Sequence, residues 1–306
     1  MIIIQKEEKI YPDLLRNIKN APQEIYVNGD EKCLHLPCIT VVGSRNMTDY
    51  GREMTEKIVK SLTLAGICIV SGLAIGVDSV AHQTCIENGG KTVAVLGSGL
   101  NKIYPKENIE LYNNIIKCGG CVISEQEPNQ EAEKIFFPAR NRIVSGLSLG
   151  TVVIEATYRS GTSITAKFAF EQGRKVFCIP NMIGKKNSSG TINLIKKGAI
   201  MVTRADEVLY ELGIIKQIND FDEFIEKQKI NKINALEEDE LSKLDDIAKN
   251  IYFYIKERSI VNSELICDEL QMNMQDVTAN LTILELKGLI QNKSGSNYSI
   301  REEFYV

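Results

Sequence analysis

Between residues 38 and 205 the chain repeats one unit. A short apolar run is followed by a loop, and then by about ten residues with apolar side chains at helical spacing. The runs are Ile39–Val42, Ile67–Val70, Lys91–Leu96, Cys121–Ser124, Thr151–Glu155, Val176–Ile179 and Ala199–Thr203. They are too short for helices and rich in β-branched residues, so they read as strands. Most lack alternating polar residues and therefore need cover on both faces. The intervening segments supply it: Met54–Ala65, with Ile58, Leu62 and Ala65 on one face, then Val77–Asn88, Glu107–Lys117, Ser163–Gln172 and Ile192–Lys197. Strands alternating with helices pair in parallel through crossover connections. The pattern predicts an α/β domain over 38–205, with about seven strands in a mostly parallel sheet and helices on both faces.

The 306 residues leave room for more. Residues 1–37 read as a lead-in, with the turn-like Tyr11-Pro12 and a short helix around Leu14–Ile18. Residues 206–246 hold the helical patches Val208–Leu212 and Phe221–Ile225, then the acidic run Glu237-Glu238-Asp239-Glu240, and read as a linker. Residues 247–306 carry an apolar stripe at Ile247, Ile251, Tyr254 and Ile255, two further helical stretches (Ser263–Leu270 and Val277–Lys287), and a short hairpin ending near Asn297–Ile300. That order describes a small winged-helix-like domain.

A net charge of -4 speaks against a polyanionic ligand only until it is partitioned. Residues 1–205 carry +6, residues 206–246 carry -8, and residues 247–306 carry -2. The acidity sits mainly in the linker, and electrostatic footprints are local. No leader pattern opens the sequence, and no apolar run of ~18 residues is present, so a cytoplasmic protein without membrane contact is expected. Eight cysteines in this length do not make a disulfide scaffold. Cys118-Gly-Gly-Cys121 has redox-motif spacing but follows a helix rather than opening one, so reduced structural thiols are expected. His35 and His82 are the only histidines, and neither sits among other ligands, so no metal is expected.

Five loops carry the chemistry. Gly43-Ser44-Arg45 directly follows a strand; a glycine there lets the backbone approach an anion, and Arg45 adds a planar fork of donors. Gly72 opens a second glycine loop that leads to Asp78 and His82, four residues apart on one helix face. These two read as an acid–base pair or, the larger expectation, as a support for the loop. Gly97 follows a third strand. Phe136-Phe137-Pro138-Ala139-Arg140-Asn141-Arg142, with Lys134 upstream, places aromatic rings beside cations, as single-stranded nucleic acid requires. The alternative is that one phenylalanine is core and the arginines pair with acids inside the domain. Glu155 ends a strand and faces Ser160-Gly161-Thr162, an N–H-rich turn opening a helix that also carries Lys167. Glu155 could act as a catalytic carboxylate or fix the turn. No nucleophile has a matched histidine, so catalysis is not expected.

In one order the chain carries V-V-G-S-R at 41–45, S-G-L-A-I-G-V-D-S-V-A-H at 71–82 and A-V-L-G-S-G-L-N-K-I-Y-P at 94–105. After them come S-E at 124–125, F-P-A-R-N-R-I-V-S-G-L-S at 137–148, V-I-E-A at 153–156 and S-G-T-S-I-T-A at 160–166. With these seven motifs in register, from about Tyr11 to Thr203, the chain resembles the DNA-processing protein A (DprA/Smf) family of bacteria. The resemblance implies a non-enzymatic protein that binds single-stranded DNA, with an extended Rossmann-like domain over 38–205 through which it forms dimers. It also implies loading of RecA onto incoming strands, past single-strand binding protein, in natural transformation and recombination. It places the anion pocket at Gly43, Ser44 and Arg45, with help from Arg140, Arg142 and Lys167, and a base contact at Phe137. Further contacts are expected at Lys134, Gly72, Gly97, Ser160, Gly161 and Thr162, with Asp78, His82 and Glu155 shaping loops. It implies no cofactor.

The chain departs from the family in three ways. Only the lead-in stands where many relatives carry a helical domain. Pro180-Asn181 replaces a proline-glycine; asparagine is able to occupy a positive φ, which would let the turn survive. The last expected helix, about Asp276–Lys287, has few cations, which points to a protein-contact or regulatory role rather than duplex reading. Two other functions compete: a phosphoribohydrolase-like nucleotide enzyme using Glu155, and a winged-helix transcription regulator.

Overall fold

The apolar runs become strands in the computed structural model, which describes residues 1–258 and 260–301. The chain divides into two units, Met1–Ile225 and residues 226 onward. The first is a mixed α/β fold built on one nine-stranded sheet. Its strands are β1 (Ile2–Gln5), β2 (Glu24–Gly29), β3 (Cys38–Val42), β4 (Cys68–Ser71), β5 (Thr92–Val95), β6 (Cys121–Ser124), β7 (Gly150–Val153), β8 (Lys175–Cys178) and β9 (Ile200–Met201). Its helices are α1 (Asp13–Arg16), α2 (Asp49–Leu64), α3 (Val77–Glu87), α4 (Ile109–Lys117), α5 (Phe136–Gly146), α6 (Gly161–Glu171), α7 (Ser189–Lys196) and α8 (Ala205–Glu211).

The strand order is β1-β2-β6-β5-β4-β3-β7-β8-β9. From β3 to β9 all pairings are parallel. The chain steps from β3 outward to β6, then returns to the other side of β3 for β7, β8 and β9. That reversal opens a crevice beyond the C-terminal ends of β3, β4 and β7, where the connecting loops diverge.

Side chains alternate between the two faces of the sheet. Ile39 and Val41 of β3 join α2, α3 and α8 in one apolar cluster, through Ile58, Leu62, Val77, Ala81, Val208 and Leu209. Cys38 and Val42 face α1, α5, α6 and α7 on the other side, through Leu15, Ile143, Val144, Ala166 and Leu194. A further cluster seats α4 against β2, β5 and β6 through Leu111, Tyr112 and Ile115.

Two expected boundaries are corrected. Residues 1–37 are not a separate lead-in: β1 and β2 extend the sheet antiparallel beside β6. Tyr11, Leu15 and Ile25 are fully buried, and Tyr11 donates to the carbonyl of Pro22 at 2.9 Å. The apolar run of β2 spans only Ile25–Val27, too short to stand out by pattern. Residues 206–246 are not an extended linker either. Val208, Leu209 and Ile215 are buried in the first unit, and a helix, α9 (Phe221–Ser242), runs through the acidic stretch.

The second unit contains most of α9, α10 (Asp246–Arg258), β10 (Ile260–Asn262), α11 (Ser263–Leu270), α12 (Met274–Leu286), β11 (Ile290–Ser294) and β12 (Asn297–Ile300). Its small antiparallel sheet has the order β10-β12-β11. The acidic run is spent inside this unit. Glu237 accepts from Tyr252 Oη at 2.6 Å and from Lys256, and Glu240 accepts from Lys243 and Lys287, both at 2.8 Å. Of the predicted stripe, Ile251, Tyr254 and Ile255 are buried while Ile247 is exposed; Ala248 takes its place in the core. Among the described residues no helix is long and apolar enough to cross a membrane.

Candidate functional site

Three loops at the sheet switch point close around an open cavity of about 940 Å³. Gly43, Ser44 and Arg45 follow β3, Gly72 and Ala74 follow β4, and Thr157–Thr162 lead from β7 into α6. The fourth wall is α5, which the apolar periodicity does not announce. Pro138 is tolerated there because it sits in the first turn, where backbone N–H groups have no intrahelical acceptor. The helix directs Phe137, Pro138, Arg140 and Asn141 into the cavity.

Glycines let the loops approach. Gly76, at the start of α3, has φ 87°, and a Cβ there would lie 2.3 Å from the carbonyl oxygen of Ser44. The Val77 N–H donates to that same oxygen at 3.2 Å. The Gly43-Ser44-Arg45 loop is thus pressed onto the N-terminus of α3. From the other side Thr162 Oγ1 donates to the carbonyl of Gly43 at 2.9 Å, fixing α6 against the same loop. Leu73 and Arg159 also have positive φ, at 56° and 57°, so two of the loops hold strained backbone beside the cavity.

Arg45 is exposed, with its guanidinium carbon 5.9 Å from the centroid of the Phe137 ring. The Tyr104 ring lies 5.4 Å from Phe137, tilted by 52°. Lys134 and Lys186 are exposed cations on the rim. Against Arg45, Lys134, Lys186 and Arg140, the lining holds one acid, Asp78. The cavity is therefore basic and carries two adjacent aromatic rings.

Arg140 occupies the floor rather than the rim. It is buried, and its Nη1 donates to the carbonyl of Gly72 at 2.8 Å. Asp78, also buried, accepts from the N–H of Gly72 at 3.1 Å. Together the two clamp the Gly72 loop. Burial lowers the pKa of Arg140 to about 10, Asp78 opposes that shift, and Arg45 adds to it. Burial raises the pKa of Asp78, against the pull of Arg140 and of the backbone N–H groups.

Eleven of the predicted residues meet in this cavity: Gly43, Ser44, Arg45, Gly72, Asp78, Lys134, Phe137, Arg140, Ser160, Gly161 and Thr162. Gly97 lies just behind it, where a Cβ would come 3.0 Å from the Phe137 ring. Neither Phe136 nor Phe137 is core; both are half-buried.

Two expected anion contacts lie elsewhere. Arg142 turns to the far side of α5, where both terminal nitrogens bond Glu125, at 2.7 and 2.5 Å, and Nε donates to the carbonyl of Asn20 at 2.9 Å. One residue separates Arg140 from Arg142, and on a helix that spacing sends side chains to different faces. Lys167 is exposed on α6 and lies 3.5 Å from Glu171, one turn on, and does not line the cavity.

His82 and Glu155 each meet partners outside the cavity. His82 Nδ1 meets Thr92 Oγ1 at 2.7 Å rather than Asp78, and burial lowers its pKa to about 3. Glu155 is fully buried and lies outside the cavity lining. It accepts from Thr48 N at 2.9 Å, Thr48 Oγ1 at 2.6 Å, Asn181 Nδ2 at 3.1 Å and Asn187 Nδ2 at 3.2 Å. It ties the start of α2 to the loop after β8. Asn181 meets the departure from proline-glycine in this way, not through a positive φ.

All eight cysteines are free; Cys118 is exposed, whereas Cys121 is buried. Among the described residues no cluster could hold a metal. The sequence reading missed Lys186 and Asn187, and also Tyr104, Asn46 and Asn141. The signal for the first two was the run Gly184-Lys-Lys-Asn-Ser-Ser-Gly190, which is basic and hydroxyl-rich just before a helix.

The family model for DNA recombination-mediator protein A matches residues 2–213. Protein Smf of Escherichia coli is 40% identical over 210 residues, 69% of this chain; the chain spans 56% of that relative's length. The X-ray structure of DNA processing protein A from Streptococcus pneumoniae superposes with a TM-score of 0.65 at 41% identity, covering 69% of this chain and 74% of that one. A structure of DNA processing protein A from Helicobacter pylori, solved for its single-stranded DNA binding mode, gives 0.61 at 29% identity, covering 69% and 94%. The matched span runs through almost all of the first unit and every loop of the cavity, and on that footing the chain belongs to the DNA recombination-mediator protein A family, the DprA/Smf proteins.

Proposed function

We propose that the first unit binds single-stranded DNA in the switch-point cavity, without base specificity, and that the protein serves as a recombination mediator. One observation carries this reading: Arg45, Lys134 and Lys186 converge with Phe137 and Tyr104 on one open, basic cavity. Phosphates need cations and N–H groups, whereas unpaired bases need flat apolar faces; the cavity offers both within one nucleotide's reach. Arg45 and Arg140 also oppose one another electrostatically, and a bound phosphate would relieve that opposition. The name of the Helicobacter pylori relative supports the same ligand.

The reading extends to an extended Rossmann-like first unit and a winged-helix second unit, in a homodimer that hands strands to RecA past single-strand binding protein in the cytoplasm. Family membership supports it. For the second unit a protein-contact role is favoured over sequence reading of duplex DNA, because residues 274–286 carry no lysine or arginine. The reading includes no catalytic step and no cofactor. A nucleotide hydrolase would need a free carboxylate at the cavity, and Glu155 has its oxygens occupied by donors of Thr48, Asn181 and Asn187.

Fluorescence anisotropy with a labelled oligothymidylate, titrated across salt concentrations, tests the site. Wild type should bind in a salt-sensitive manner, and Arg45→Ala should bind at least about tenfold more weakly. Equal affinity of the two proteins would remove the cavity from consideration. Release of free base from nucleoside monophosphates, followed by chromatography, would instead favour the hydrolase.

A further inference from the structure

A second cavity, of about 780 Å³, adjoins the first. Lys186 and Asn187 line both, so the two share a wall. The second is otherwise formed by Thr48 and Tyr50 from the start of α2 and by Pro180, Asn181, Met182 and Lys185 from the loop after β8. No carboxylate lines it. Lys185 is exposed and meets no acid among the described residues. Tyr50 is 38% exposed and Met182 68%, so a flat ring and a polarizable thioether stand open to solvent beside a free ammonium.

The loop that makes this wall is fixed rather than slack. The Ser188 hydroxyl lies 2.7 Å from the carbonyl oxygens of both Met182 and Lys185, which share its one proton. Tyr50 Oη donates to the carbonyl of Pro180 at 2.8 Å, and Asn187 Nδ2 donates to the carbonyl of Asn46 at 2.8 Å. Glu155 lies beneath, and its oxygens are taken up by Thr48, Asn181 and Asn187. Its charge still reaches the cavity wall: the Tyr50 phenol is held above its ordinary pKa by burial first, and then by Glu155 and Glu53. The elements repeat those of the first cavity, a cation, an aromatic face and a bonded backbone, on a surface continuous with it.

We propose that a strand held at Arg45 and Phe137 continues past Lys186 into this second cavity, where a base lies on Tyr50 and Met182 and a phosphate meets Lys185. The inference rests on the single-stranded DNA reading of the first cavity and adds a subsite to it. Its chemistry is that of a sequence-neutral track: a π-face accepts any base, and a lysine accepts any phosphate.

The test compares a short oligothymidylate of about four nucleotides, enough for the first cavity alone, with one of about twelve. Anisotropy is read for the full chain as wild type, Tyr50→Ala, Tyr50→Phe, Lys185→Glu and Arg45→Ala. Wild type should bind the longer strand more tightly. Tyr50→Ala and Lys185→Glu should each weaken the longer strand by about tenfold and leave the shorter one unchanged. Tyr50→Phe, which keeps the ring but loses the bond to Pro180, should retain most of the affinity. If both strands are bound as in wild type by Tyr50→Ala and Lys185→Glu, the subsite does not exist. If both strands are weakened equally, the substitutions act on the first cavity and the inference falls. Arg45→Ala separates the two layers: loss on both strands upholds the underlying reading, and no loss on either overturns it whatever the other variants do.

Discussion

The guanidinium carbon of Arg45 lies 5.9 Å from the centroid of the Phe137 ring, across the mouth of the cavity. The ring attracts the cation and holds it beside an aromatic face, so phosphate and base contacts are arranged before a strand arrives. Arg45→Ala and Phe137→Ala should each weaken oligothymidylate binding by about tenfold. Only Arg45→Ala should flatten the salt dependence, by about 0.7 in the log–log slope, because it alone removes a phosphate contact. The double variant should lose less than the two single losses combined, since each residue positions the other.

Arg140 and Arg142 should part company under mutation. Arg140→Ala leaves the Gly72 carbonyl without its donor and the buried Asp78 without a nearby cation, a loss of about 2–3 kcal/mol of stability. Arg142→Ala breaks a two-point contact with Glu125 and should cost about 2 kcal/mol. It should leave DNA affinity within about twofold of wild type, because its side chain faces away from the cavity. Urea denaturation reads the first quantity and anisotropy the second. A loss of affinity in a stable Arg142→Ala would return that residue to the site.

Gly76→Ala should damage both folding and binding. Its φ of 87° disfavours a side chain, and the new methyl would meet the Ser44 carbonyl at 2.3 Å. A strain of about 1–3 kcal/mol is expected, with the Arg45 loop displaced and DNA affinity reduced. Gly161→Ala is the matched control for stability. Nothing lies within 4 Å of its added methyl, and its thermal midpoint should stay at or slightly above wild type.

His82 makes stability depend on pH. In the unfolded chain it has its ordinary pKa near 6.5, whereas burial, with a smaller contribution from Arg140, holds it at about 3 in the fold. The unfolded state therefore takes up the proton first as pH falls. The full stability is present above about pH 6.5 and is lost progressively toward pH 3, at about 1.4 kcal/mol per pH unit. Between pH 7 and pH 5 the wild type should lose about 2 kcal/mol more than His82→Gln, measured by urea denaturation.

Much of this was legible in the chain itself. The seven short apolar runs from Ile39 to Thr203, alternating with helical stripes, dictated the parallel part of the sheet, because doubly buried strands have few polar residues. The glycine loops after β3 and β4 were legible for a related reason: strand, glycine and helix in sequence leave little freedom in where the backbone turns. Seven motifs in one order were enough to identify the family.

What the chain did not disclose depended on which way side chains turn once packed. Arg140 and Arg142 look equivalent as sequence, yet the helical rotation of α5 sends one beneath the cavity and the other to Glu125. Glu155 reads equally as a catalyst or a brace until Thr48, Asn181 and Asn187 are seen around it. Residues 1–37 and 206–225 look like appendages because their apolar runs are short, and only the buried Tyr11, Ile25 and Val208 show them to be core. Local pattern determined the elements and their order, since periodicity and turn chemistry act over a few residues. The assignment of each charge to binding or bracing was decided by tertiary structure, because a charge can take its role from a neighbour 122 positions away in the chain, as Arg142 does from Asn20.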